Sequence, residues 1–140
     1  MRLNKAVILI KKAALEFDRE ANIVLGEYDL TASQYKVMKF IFAEEENGVR
    51  ITDLEKYYSM SHPTTIGIVR NLERKGLIAY EDNPSDARSR FIVPTDKAQR
   101  QRLELDGLGE KLETQMTSRL SPDEHRELVR LLRKMLDIGT

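Results

Sequence analysis

Four arginines in two short stretches are the residues of this chain best suited to act on something outside it. Arg70 and Arg74, with Lys75, stand against a single acid, Glu73, within residues 61–76, and Arg88 and Arg90 follow within residues 82–90. The chain carries 23 basic and 23 acidic residues, so its net charge is zero and any cationic footprint must be local. These two clusters are the candidates for meeting an anionic surface such as nucleic acid. Catalytic chemistry finds no comparable grouping. The two histidines, His62 and His125, fall in different elements, and there is no cysteine, no phosphate-cradling glycine loop and no His-Glu-x-x-His. Glu44, Glu45 and Glu46 are consecutive, so on a helix they point in three directions and cannot converge on one metal ion. The chain therefore reads as a non-enzyme with no cofactor and no metal site. Lack of cysteine also excludes thiol redox sensing and suits a reducing cytoplasm.

The helix that must carry the first cluster is marked at both ends. Ser61 or His62 stands where a cap belongs, Pro63 lies in the first turn, and Gly76 closes the run. At the helical period Thr65, Ile68, Val69 and Leu72 form a core-facing stripe, leaving Pro63, Gly67, Arg70 and Arg74 on the outer side. That side is bare in its first half and cationic in its second, so it can come close to a partner. Just before it, residues 51–58 read as a short helix with Leu54, Tyr57 and Tyr58 available for packing, opened by a capping box over residues 52–55. Only Ser59 and Met60 separate the two, which is the helix-turn-helix pattern whose second helix enters a major groove. After Gly76 the pattern turns extended over 77–80, loops through 82–86 and returns at 91–93. This is a hairpin wing, ended by Pro94, with Arg88 and Arg90 spaced to project from one side of a strand behind its tip. An arginine at such a tip suits the narrow, negative minor groove.

The flanks carry more apolar surface than this unit needs. Leu3, Val7, Ile10, Ala14, Phe17, Ala21 and Val24 recur in a four-three alternation, with Ile8, Leu15, Ile23 and Leu25 in addition. Such a helix packs on two sides, against its own domain and another chain, unless a single-chain core absorbs it all. The apolar run 6–10 is cut by Lys11 and Lys12, too short for a membrane span or a signal peptide. Residues 31–34 form a capping box opening a helix that turns Tyr35, Val37, Met38, Ile41 and Phe42 inward. Beyond the wing, one helix is expected from about 96 to 119, striped with Leu105, Leu108, Leu112 and Met116. Gly107 and Gly109 within it mark a bend or a close crossing with a partner helix, or are tolerated defects. A third capping box, 121–124 with Pro122, opens a last helix striped with Leu128, Leu131, Leu132, Met135 and Leu136. Surplus apolar faces at both ends of the chain make a homodimer the economical expectation.

From about residue 30 to 98 the sequence resembles the MarR (multiple antibiotic resistance regulator) family of winged-helix transcription factors. The resemblance rests on Leu30-Thr31 with Gln34-Tyr35, on Ile51-Thr52-Asp53-Leu54, on Ser61-His62-Pro63-Thr64 with Val69 and Leu72-Glu73 running into Gly76-Leu77-Ile78, and on Asp86-Ala87-Arg88 with Thr95. It implies that Asp86 orients Arg88, that Arg88 contacts the minor groove, and that the terminal helices intertwine into a dimer. It also implies a small, often aromatic effector between the dimer helices and the DNA-binding lobe, for which Leu15, Phe17, Tyr35 and Met38 are candidate lining residues. Many relatives carry a basic or polar side chain where this chain has Gly67, which leaves Thr64, His62 and Ile66 to touch base edges. Where relatives show threonine followed by lysine-glycine, this chain has Thr95-Asp96-Lys97-Ala98, and alanine favours the helix that follows.

The expectation is a mainly α fold with a small β-hairpin wing. Residues 1–30 would be an N-terminal dimerisation helix, 31–98 a winged helix-turn-helix and 99–140 the C-terminal dimerisation helices. The dimer would bind a pseudo-palindromic double-stranded DNA operator through Ser61, His62, Pro63, Thr64, Ile66, Gly67, Arg70, Arg74, Asp86, Arg88 and Arg90, as a cytoplasmic repressor relieved by its effector. The competing expectation is a winged-helix interaction module without specific DNA binding, which zero net charge and Gly67 favour.

Overall fold

A computed structural model of the protein describes residues 5–139; Leu3, the first residue of the expected seam, lies outside them. The described residues form α1 (Ala6–Gly26), α2 (Ala32–Glu44), α3 (Ile51–Tyr58), α4 (His62–Arg74), β1 (Ile78–Glu81), β2 (Phe91–Pro94), α5 (Asp96–Asp106), α6 (Leu108–Thr117) and α7 (Pro122–Met135). This is the expected mainly helical chain with one hairpin. It divides into two compact units, one up to Leu108 and one from Gly109 onward.

Local chemistry sets most of the helix starts in the first unit. Thr31 Oγ1 accepts the Gln34 N–H at 3.2 Å while Gln34 Oε1 accepts the Thr31 N–H at 3.2 Å, so α2 opens on the expected capping box. Thr31→Ala removes one of these acceptors and is expected to cost about 1 kcal/mol in a denaturant unfolding experiment. The start of α3 differs from expectation by two residues. Asp53, and not Thr52 with Glu55, makes the box: its carboxylate accepts the Arg50 N–H at 2.9 Å and the Arg50 guanidinium at 3.1 and 3.3 Å. Burial acts to raise the Asp53 pKa, but the bonds from Arg50 and the charges of Arg50 and Lys56 outweigh it and hold the carboxyl below its ordinary value. That contribution is present above the ordinary carboxylate range and is lost as acid protonates Asp53.

The core of this unit is built where α2, α3, α4 and the hairpin meet. Val37, Met38, Ile41, Leu54, Val69, Leu72 and Ile92 are fully buried there, as the helical stripes require. Gly76 takes φ +75° and turns the chain out of α4 into β1. The strands pair antiparallel from Ile78 with Pro94 to Glu81 with Phe91. A further rung joins the wing to the segment before α3, where the Ile92 N–H donates to the Val49 carbonyl at 2.7 Å. Gly48, at φ +79°, sits under the Phe91 ring, and a Cβ there would lie 2.7 Å from ring carbons.

Helix α1 buries only Ala21, Val24 and Leu25. Val7, Ile10 and Phe17 of the seam are exposed, as are Ile8, Leu15 and Ile23, so the single chain does not absorb the apolar surplus of this helix. Helix α5 is tied to α2 by the Tyr35 hydroxyl, which donates to the Leu105 carbonyl at 2.8 Å, and by Arg102, which pairs with Glu45 and donates to the Phe42 carbonyl at 3.2 Å. The single helix expected from 96 to 119 is interrupted at Gly107, where ψ flattens to −12° and the amide splits its bond between the Leu103 and Glu104 carbonyls. Glycine is the residue whose backbone entropy most opposes a helix interior, and here it ends one helix and precedes the next.

In the second unit α7 opens on the expected Ser121–Glu124 box with Pro122 in its first turn. His125 is joined to Glu113 of α6. No residue of α7 is buried, and Leu128, Leu131, Met135 and Leu136 form an exposed stripe. Among the described residues no helix is long and apolar enough to cross a membrane.

Candidate nucleic-acid interface

The recognition helix expected from the sequence is α4, and its first turn is fixed by four side chains. Ser61 is the cap: its Oγ accepts the Thr64 N–H at 3.3 Å and donates to Thr64 Oγ1 at 2.9 Å. Buried Thr65 donates back to the Ser61 carbonyl at 2.9 Å. His62 Nδ1 lies 2.6 Å from Glu55 Oε1, which pins the start of α4 to α3. The Ser61 and Thr64 hydroxyls therefore have local work, while His62 keeps its second ring nitrogen without a partner among the described residues.

Along the rest of α4 the division of faces follows the sequence. Thr65, Val69 and Leu72 are buried and Ile68 half-buried, whereas Pro63, Thr64, Gly67, Arg70 and Arg74 are exposed. A Cβ at Gly67 would meet nothing within 4 Å, so the fold does not demand glycine there and the outer face is open at its middle. Arg74 donates to Asn71 Oδ1 at 3.0 Å, one turn back. Lys75 leaves the cationic cluster in which its charge placed it. Its Nζ donates to Gln34 Oε1 at 2.7 Å and to the Asp29 carbonyl, so it fastens the end of α4 to the start of α2.

The wing tip is a run of turns. Asn83 Oδ1 accepts the Ser85 N–H at 2.9 Å, Asp86 Oδ1 accepts the Arg88 N–H at 3.0 Å, and the Asp86 carbonyl accepts the Ser89 N–H at 3.1 Å. Asp86 thus holds the backbone of Arg88 and not its guanidinium. Arg88 and Arg90 do not project from one side of a strand: the Asp86 turn keeps them ahead of β2, which begins only at Phe91. Both are exposed, and among the described residues neither is paired with a carboxylate. The Arg90 guanidinium lies over the Tyr80 ring, 4.4 Å from its centroid.

Between the starts of α3 and α4 and the wing is a cleft of about 350 Å³. Of the expected residues it brings together His62, Ile66, Arg88 and Arg90, while Pro63, Thr64, Gly67, Arg70 and Arg74 lie along the open face of α4. Its wall also includes Thr52, Tyr80 and Ser89, none of which the sequence marks as a site residue. For Tyr80 the signal lies in the register. Tyr80 pairs with Ile92, and Arg90 precedes β2 by one residue, close enough for its guanidinium to reach the ring. Burial, then the charge of Glu73, push the Tyr80 phenol up, and Arg90 and Arg70 pull it down. A cleft walled by unpaired guanidinium groups can receive an anion, and the bare face of α4 beside it can lie against a duplex.

The expected effector-lining residues have unlike settings. Met38 is fully buried and belongs to the core, Tyr35 is half-buried, and Leu15 and Phe17 are exposed on α1. Among the described residues no group of three or more histidines or acids is placed to hold a metal ion.

Residues 28–89 match the model of the MarR family. The transcriptional regulator HosA of Escherichia coli O111:H- is 28% identical over 109 residues, which cover 78% of this chain and 79% of HosA. The crystal structure of an S. aureus MepR–DNA complex superposes with a TM-score of 0.79 at 26% identity, covering 95% of this chain and 97% of MepR. Wild-type MarR from E. coli in its apo form gives 0.80 at 26% identity, covering 97% and 99% of the two chains.

Proposed function

Because the chain is a MarR-family winged-helix protein, we propose that it is a dimeric, sequence-specific DNA-binding regulator of transcription acting in the cytoplasm. The observation that carries this reading is the shared cleft: the start of α4, through His62 and Ile66, and the arginine-bearing wing tip border one concavity, and the exposed face of α4 with Gly67, Arg70 and Arg74 runs on beside it. In the proposed complex α4 lies in the major groove and Arg88 reaches the adjacent minor groove. His62, Thr64 and Ile66 face base edges past the open surface at Gly67, and Arg70, Arg74 and Arg90 meet phosphates. The exposed apolar faces of α1 and α7 support a homodimer that brings two such units to a pseudo-palindrome with half-sites about 10 base pairs apart.

Regulation by a small aromatic effector is part of the proposal, with Leu15, Phe17 and Tyr35 beside its seat and Met38 beneath it. An effector that favours a protomer spacing unfit for the half-sites would act through a coupling of about 1–3 kcal/mol. The test of the DNA reading is a mobility shift on the region upstream of the protein's own gene at a series of salt concentrations. Arg88→Ala is expected to weaken binding about tenfold and to lower the salt slope by about one. Unchanged slope and affinity would remove Arg88 from the interface, and a wild-type protein that shifts no duplex would leave the interaction module as the better reading.

A further inference from the structure

The geometry points to Tyr80 as the positioning residue that holds Arg90 of the wing at the cleft beside the recognition helix, ready for DNA, an inference that rests on the DNA-binding reading above. Tyr80 stands on β1 and pairs with Ile92, two residues after Arg90, which precedes β2. The Arg90 guanidinium is carried 4.4 Å above the ring. Across the same cleft stand His62 and Ile66 of α4, with Arg88 beside them at the wing tip. The ring thus lies where α4 and the wing face each other, within the electrostatic reach of Arg70 and Glu73 on α4 as well as Arg90.

Two features assign this task to the ring. The Tyr80 hydroxyl has no hydrogen-bond partner among the described residues, so the phenol oxygen holds nothing in place. Arg90 has no carboxylate to orient it among those residues either, and the aromatic face is the support it does have. A long, exposed arginine would otherwise sample many rotamers, and stacking on an aromatic face restricts it to one region of space. That region borders the path of a DNA strand passing from the major groove under α4 to the minor groove under the wing. Arg90, so held, meets a phosphate of that strand, and Tyr80 acts through Arg90 without touching DNA.

The experiment is a double-mutant cycle read by fluorescence anisotropy, using the wild-type protein, Tyr80→Phe, Tyr80→Ala, Arg90→Ala and the double variant. The probes are a duplex of the region upstream of the protein's own gene and a mixed-sequence duplex of equal length, each titrated at several salt concentrations. Tyr80→Phe is expected to match wild type. Tyr80→Ala is expected to lose about fivefold in affinity, with a salt slope moved toward that of Arg90→Ala, and the double variant is expected to bind no more weakly than Arg90→Ala. Losses that multiply in the double variant, a wild-type slope for Tyr80→Ala, or a Tyr80→Phe defect as large as that of Tyr80→Ala would each overturn the inference. Should Tyr80→Ala melt at a much lower temperature, Tyr80→Met carries the test, since it fills the space without a ring face. A wild-type slope for that variant overturns the inference equally. Wild-type protein that binds neither duplex would remove the DNA-binding reading itself, a result distinct from binding without coupling between Tyr80 and Arg90.

Discussion

Leu128→Asp is expected to yield a folded monomer whose operator affinity is lower by about a hundredfold or more. Leu128 is 40% exposed in the single chain, and α7 buries no residue there, so the substitution removes little from the protomer fold. In the proposed dimer the outcome is different. A two-fold interface contains each residue twice, so one substitution places two carboxylates in an apolar seam. An unpaired buried charge costs roughly 3–5 kcal/mol, and no basic side chain lies three or four residues away on α7 except His125, which is joined to Glu113. Losing the dimer turns the second half-site contact from an intramolecular event into an independent one, which is the source of the affinity loss. Sedimentation and circular dichroism check the two halves of the prediction: a monomer with a wild-type spectrum is expected. A variant that remains dimeric would place Leu128 outside the interface.

Gly48→Ala is expected to destabilise the protein by about 3 kcal/mol. Two costs add at this position. Its φ of +79° is a left-handed conformation that disfavours any Cβ by about 1–2 kcal/mol. The Cβ would also lie 2.7–2.8 Å from three ring carbons of Phe91, and crowding of that kind costs about 1–3 kcal/mol. Phe91 opens β2 and pairs with Glu81, so the backbone from which the ring projects is held and only a turn of the side chain itself can relieve the contact. For a domain of this size the melting temperature should fall by about 10 °C. Adding Phe91→Leu to Gly48→Ala should recover part of the loss by relieving the contact, while the backbone cost remains. An alanine variant as stable as wild type would show that Phe91 can swing clear.

The parts of this structure legible in the sequence are those decided within a few residues. The boxes at Thr31 and Ser121 and the core-facing stripe of α4 follow from spacing alone, and spacing narrows the α4 cap to Ser61 or His62, of which the structure selects Ser61. The misreadings arise where local chemistry competes. At α3 two overlapping boxes were available, and the guanidinium of Arg50 decided for Asp53 by adding two charge-assisted bonds. At the wing the alternation of Arg88 and Arg90 suggested a strand, but the Asp86 side chain bonds its own backbone two residues on and keeps a turn. Other features depend on distant partners. Lys75 is consumed by groups at positions 29 and 34, which no count of charges within 61–76 could reveal. Tyr80 emerged only from the structure, in which Arg90, just ahead of the paired strand, folds its guanidinium over the ring.

The hairpin is rooted and free at opposite ends. Its base is bonded to Val49 and carries the buried Ile92, whereas its tip is held by turns of its own making. Amide exchange should accordingly be slow at Ile92 and fast over residues 85–89. On DNA, a compliant fingertip on a stiff knuckle can follow minor grooves of different width without disturbing the seating of α4. Sites enriched from a random pool should then vary more beneath the wing than beneath the helix.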